Sequence, residues 1–157
     1  MTTGRITADA EAVLSLSVRS PGEANREARF EAVIDTGFNG ALTLPAGEIE
    51  RLGLPEAGED QVVLGDGRVV TVPTFEALVR FGETTHRFSV EQAPTEPLVG
   101  TELLWGYGLR VDFEPGGRVQ TDGSVAVRRA ALRRPQAAAG ATPGRARCSQ
   151  EAATSQN

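Results

Sequence analysis

The sequence predicts an all-β domain with one or two short helices, and three observations predict it. Glycine (18) and proline (9) are frequent among the 157 residues while aromatic residues make up 5%, a composition of many turns and short strands. Apolar and polar residues alternate in short runs such as 13–18 (VLSLSV), at the period of a half-buried strand. Turn signals punctuate these runs at Pro21-Gly22, Phe38-Asn39-Gly40, Asp66-Gly67 and Gly82-Glu83.

Taken in order, 13–18 and 28–35 (ARFEAVID) read as two strands, antiparallel across the loop that Pro21-Gly22 opens. The second ends in Asp35-Thr36-Gly37, and after a tight turn over 38–40 a short strand follows at 41–44 (ALTL). Pro45 opens a short helix over 46–52 that Gly53 closes, with Pro55 just beyond; proline at the start and glycine at the end is the expected asymmetry. Residues 61–72 (QVVLGDGRVVTV) predict a hairpin whose Asp66-Gly67 fits a two-residue loop with positive φ. Strands at 75–81 and 86–90 meet at Gly82-Glu83, and a proline-bounded loop over 93–97 leads to Leu98-Val99-Gly100. A short helix over 101–105 would take Thr101 as its N-cap. A last strand over 109–113 turns through Pro115-Gly116-Gly117 into 118–120.

Charge divides the chain. Ten Arg oppose twenty Asp and Glu up to Ser124, a balance of -10; six Arg and Glu151 follow from Val125, a balance of +5, which together give the net -5. All basic residues are Arg, read as a compositional bias of the source genome. The expected organisation is one domain over 1–123 and a disordered, solvated Ala/Arg-rich tail over 124–157. An acidic domain is poorly suited to a phosphate backbone, so no nucleic-acid partner is expected. The one cysteine, Cys148, lies in the tail and allows no intrachain disulfide. The start carries no basic region followed by an apolar core, and no apolar run reaches membrane-spanning length. A cytoplasmic location and no membrane partner are the expectations.

The titratable inventory narrows the chemistry. His86 is the only histidine and lies in a strand-like run, where a surface or satisfied role is commoner than a catalytic one. One His and one distant Cys supply no metal-ligand cluster and no Cys-His pair. No P-loop, dinucleotide fingerprint or G-x-S-x-G is present. Neither metal nor cofactor is expected, and carboxylate chemistry remains. Asp35 is delivered by the apolar run Ala32-Val33-Ile34 into a loop of small residues, and Gly37, without Cβ, permits close approach.

Four features occur in a recognisable order: the apolar run into Asp35-Thr36-Gly37, Ala-Leu-Thr-Leu-Pro over 41–45, the glycine-tipped hairpin at 65–67, and Leu98-Val99-Gly100 followed by Thr-Glu-Leu-Leu. Over residues 13–119 the chain resembles the retropepsin-like (clan AA) aspartic proteases, most closely a group of small microbial single-domain proteins of that clan. The resemblance implies a retropepsin-like acid protease barrel with one Asp-Thr-Gly per chain. It also implies an aspartic endopeptidase acting on peptides or unfolded protein segments. Such chemistry needs two carboxylates sharing one proton, with a water activated between them. Asp66 at a hairpin tip, Asp112 inside a strand and Asp122 near the tail occupy no equivalent loop, so the resemblance implies a homodimer with Asp35 catalytic in each subunit. Thr36 and Gly37 would lock the two active-site loops together. Gly65, Asp66 and Gly67 would form the flap, and Leu98, Val99 and Gly100 would pack behind the catalytic loop. Trp105 and Tyr107 are expected in the core or the dimer interface.

Phe38 departs from the clan. Many members carry a small residue there, in some a hydroxyl that hydrogen-bonds the catalytic carboxylate. Without that hydroxyl, activity is expected to persist toward milder pH, and the bulk of Phe38 is expected to narrow the pocket. The alternative is a catalytically inactive dimer of the same fold that binds extended peptides by strand addition.

Overall fold

Residues 2–22 and 26–123 are described by the computed structural model, and among them the chain forms ten strands and two short helices. In order these are β1 (Thr2–Ile6), β2 (Ala12–Arg19), β3 (Glu27–Ile34), β4 (Leu42–Leu44), α1 (Ala46–Leu52), β5 (Glu56–Val63), β6 (Val69–Phe81), β7 (Thr84–Gln92), β8 (Leu98–Val99), α2 (Thr101–Leu104), β9 (Gly108–Val111) and β10 (Arg118–Asp122). All belong to one unit that spans Met1–Val127. The tail expected over 124–157, with Cys148, lies outside the described residues. No helix among them is long and apolar enough to cross a membrane.

The all-β expectation holds, and the strands form a single sheet that closes on itself. The ring runs β6-β7-β4-β8-β3-β2 and back to β6; β5 flanks β6, while β1, β10 and β9 continue from β2. Closure depends on two long strands that change partners. β6 pairs with β5 from Val69 to Phe75 and with β2 from Leu78 to Arg80, while β7 lies along it from Thr74 to Phe81. β2 pairs with β1 from Ala12 to Leu14 and with β6 from Ser17 to Arg19.

Inside the ring, alternate side chains from each strand meet: Leu14, Val18, Ala32, Leu42, Val79, Val90 and Val99 have no exposed surface. Burying one such aliphatic side chain stabilises by about 1.5–3 kcal/mol relative to leaving it in water. α1 adds Ile49 and Leu52, three residues apart and therefore on one face, to the same core. Gly53 ends that helix at φ 63 and donates its N–H to the Glu50 carbonyl at 3.0 Å.

Three features of the strands differ from the sequence reading. First, β1 exists although Thr2-Thr3-Gly4-Arg5-Ile6 shows no alternation. Its evidence is non-local, a place between β2 and β10, with Gly4 so close to Val13 that a Cβ would meet the Val13 carbonyl. Second, the runs expected at 61–72 and 75–81 share one unbroken strand through Pro73. Pro73 precedes the start of β7 pairing at Thr74, on a stretch paired on one side only, where a missing donor is tolerated. Third, Asp66-Gly67 is not a two-residue loop. Leu64 N–H donates to the Arg68 carbonyl and Gly67 N–H to the Leu64 carbonyl, both at 2.8 Å, which leaves a three-residue loop with only Gly67 at positive φ (84).

β1 is held beyond its ladders by an ion pair. Arg5 reaches over β2 to Glu31 of β3 through two contacts, the Nη2–Oε2 one at 2.9 Å. That hydrogen bond holds the Glu31 carboxyl below the usual carboxylate range and raises the guanidinium. A depressed folded value means the contribution is complete above the unfolded value and is lost as pH falls through the folded one. Acidification through that range is expected to reduce amide-exchange protection across Thr2–Ile6 while Val79 and Val99 stay protected. Arg5→Gln should abolish this pH dependence, as followed by hydrogen exchange at several pH values.

Candidate active site

Asp35 leaves the end of β3 at the point where the ring is narrowest in strand length. The two-residue β8 lies between β3, which it joins in parallel (Val33↔Leu98, Ile34↔Val99), and β4, which it joins antiparallel (Leu42↔Val99, Thr43↔Leu98). The ladder extends one residue beyond β3, because Asp35 N–H donates to the Val99 carbonyl at 2.9 Å. Val33 N–H donates to the Pro97 carbonyl at 2.9 Å, and Leu98 N–H to the Thr43 hydroxyl at 3.0 Å. The backbone of Asp35 is thus fixed by a buried strand while its side chain is exposed, as are Thr36 and Gly37.

The loop then closes on itself. Gly37 N–H donates to Asp35 Oδ1 at 2.9 Å and Phe38 N–H to the Asp35 carbonyl at 3.2 Å, so one carboxylate oxygen is oriented by its own turn. The return path is anchored by α2. Thr101 N–H and Oγ1 both donate to the Phe38 carbonyl, at 2.9 and 3.2 Å, and Glu102 N–H donates to the Gly40 carbonyl at 3.2 Å. Thr101 is therefore not the N-cap; Gly100 occupies that position without a side-chain cap, and the Thr101 hydroxyl holds the Asp35 loop instead.

Phe38 does not extend into open space. A Cβ on Gly40 would meet the tip of the Phe38 ring, with Cε2 at 2.7 Å, and one on Gly100 would meet the ring, the Gly40 carbonyl, and the Phe38 carbonyl at 2.6 Å. The ring occupies a slot that two glycines leave between the loop and β8. The sequence contained the signal, an aromatic residue with glycines at 40 and 100, but only the fold brings those glycines together. The buried Glu91 of β7 borders the same slot, with Oε1 2.6 Å from where a Gly40 Cβ would stand. It is a residue that the sequence reading passed over.

The structure brings Asp35, Thr36 and Gly37 together with Leu98, Val99 and Gly100. The hydrogen bonds of the hairpin loop at Gly65, Asp66 and Gly67 stay within the hairpin, and among the described residues none joins it to the Asp35 loop. A Cβ on Gly65 or Gly67 would meet nothing within 4 Å. Apolar side chains flank that loop in the open, Val63 at 68% and Val69 at 58% exposure. Asp66 is engaged locally: the Arg68 backbone N–H at 3.0 Å and then its Nε at 2.6 Å hold the carboxyl below the usual range. Asp112 lies 3.3 Å from Arg110 and 3.8 Å from Arg118. Trp105 is half exposed, whereas Tyr107 packs edge-on against Phe81 with ring centroids 5.0 Å apart and shares a hydrogen bond with Thr84. His86 lies edge-on to Phe88 on β7. Among the described residues no group of three His, Cys, Asp or Glu forms a metal-binding cluster.

The slot predicts a pattern of coupling. Gly100→Ala meets backbone on two sides and is expected to cost about 1–3 kcal/mol or more of stability. Gly40→Ala clashes chiefly with the movable Phe38 ring, so adding Phe38→Ala should recover part of its loss. Chemical denaturation of the singles and the double should give a non-additive term of roughly 0.5–3 kcal/mol for 38/40, and Phe38→Ala should not rescue Gly100→Ala to the same extent. Compared with known proteins, the sequence matches no family model, and no curated protein matches it significantly.

Proposed function

We propose that this chain is one subunit of a retropepsin-like aspartic endopeptidase that hydrolyses peptide bonds as a homodimer. The observation that carries the reading is the setting of Asp35. Its backbone is bound to the buried β8, its Oδ1 is oriented by Gly37 N–H, and its carboxylate faces solvent with Thr36 and Gly37 beside it. A carboxylate needed only for a turn gains nothing from so rigid a mount, whereas a catalytic group requires one.

In this reading two copies meet about a two-fold axis through their Asp35 loops, with the exposed Thr36 and Gly37 of each against the other. The paired carboxylates share one proton. The ionised one withdraws a proton from a water held between them, and the protonated one hydrogen-bonds the carbonyl under attack. The proton then passes to the leaving amine, with no covalent intermediate. The hairpin around Gly65–Gly67 closes over the bound peptide; its exposed Val63, Leu64 and Val69 support that role, as they offer apolar contact to a segment lying beneath. Peptides and unfolded segments are the substrate class, because an extended chain can lay its backbone along such a hairpin.

Asp35→Asn is expected to abolish cleavage of a diverse peptide library, from acid to neutral pH, while both proteins sediment as dimers. Equal cleavage by the two, or a wild type that stays monomeric at high concentration, would refute the mechanism. Dimers that bind peptides without cleaving them would instead favour a peptide-binding module. A separate expectation concerns the hairpin: Leu64→Ser should raise KM several-fold. Thermal unfolding should move little, since an exposed substitution changes stability by about 0.5 kcal/mol or less.

A further inference from the structure

The interruption in the ladders of β2 leaves a crevice on the outer face of the ring, and its chemistry differs from that of the Asp35 loop. β2 takes β1 as neighbour up to Leu14 and β6 from Ser17, so the chain at Ser15 has no second strand beside it. A crevice of about 250 Å³ occupies the gap, with Thr3 of β1 and Gly82 after β6 at its margins and Ser15 and Ser17 along its floor. Ser17 is opposite Arg29 on β3 and opposite Arg80 on β6. Residues directly opposed across a sheet project from the same face, so two guanidinium groups flank one buried hydroxyl.

The bonding of these groups is asymmetric. Arg80 Nη2 donates to Ser17 Oγ at 3.1 Å and lies 3.2 Å from Glu27 Oε1, which positions and partly neutralises it. Arg29 has no carboxylate partner among the described residues and lines the crevice from the other side. Ser17 Oγ accepts from Arg80, so its own proton remains available to donate. The wall therefore presents the planar donor fork of Arg29, the Arg80 donors left beside its bonds to Ser17 and Glu27, and hydroxyl donors, with one positive charge in excess. That combination suits a single oxyanion, which guanidinium groups bind through paired, charge-assisted hydrogen bonds.

We propose that this crevice is a binding site for a small oxyanion, a carboxylate or a phosphate group, held by Arg29 and Arg80 with Ser17 donating between them. Arg29 stands six residues before Asp35 on β3, roughly 20 Å along the strand, so the site is separate from the peptidase reading. The test titrates the full-length, ¹⁵N-labelled chain with sodium phosphate and, separately, sodium acetate at constant ionic strength. Backbone amides of residues 15–17 and the Nε–H signals of Arg29 and Arg80 are followed.

Saturable shifts at these positions, with a Kd of roughly millimolar order, are expected for one or both anions. Saturation by phosphate alone identifies a phosphate group as the ligand, and saturation by acetate alone a carboxylate. Arg29→Gln and Arg80→Gln should each weaken binding at least tenfold, and Arg110→Gln should leave it unchanged. The exposed Arg29 and Arg80 give two independent variants, each checked for an unchanged amide spectrum without anion. Shifts that do not saturate, that chloride reproduces at equal concentration, or that survive both substitutions would overturn the assignment.

Discussion

Everything near the candidate site depends on a strand of two residues. Leu98 and Val99 fill the space between β3 and β4, and without them the ring would open where the chain turns through Asp35. A parallel neighbour on one side and an antiparallel neighbour on the other leave these residues little freedom. The Val99 carbonyl that receives Asp35 N–H is therefore a fixed point. The residue that follows must be glycine, since β8 passes so close to the 38–40 turn that a Cβ would overlap its backbone. Strand pairing, the absence of a side chain at 100 and the orientation of Asp35 are one constraint seen at three levels.

The same constraint explains how an aromatic residue fits after Asp35-Thr36-Gly37. Sequence reasoning expected Phe38 to crowd a pocket. The ring lies over Gly40 and Gly100, filling volume that larger residues there would have taken. Its bulk is spent on holding the loop, with Thr101 fixing the carbonyl of the same residue. Small loop residues and a bulky Phe38 are in this way complementary.

Local chemistry was legible and non-local pairing was not. Pro45 and Gly53 delimit α1, the alternation over 13–18 lies within β2, and an apolar run does lead into the Asp35 loop. Each is encoded within a few residues. β1 carries no period, because its place is set by β2 and β10 rather than by its own pattern. The partner changes of β6 and β2, which close the ring and open the crevice at Ser15, are invisible to periodicity: a strand reads the same whichever neighbour it has. Thr101 was misassigned for a related reason, since a hydroxyl at a helix start suits a cap, yet a nearby carbonyl from another segment competed for it.

The antiparallel pairing of β1 with β10 has a further consequence. Thr2 lies opposite Thr121, so the two ends of the described chain lie side by side on adjacent strands of the sheet. The fold is nearly a closed circle of polypeptide. A few residues would suffice to join those ends, and new termini opened in the exposed loop at 64–68 would leave every ladder of the ring in its present register.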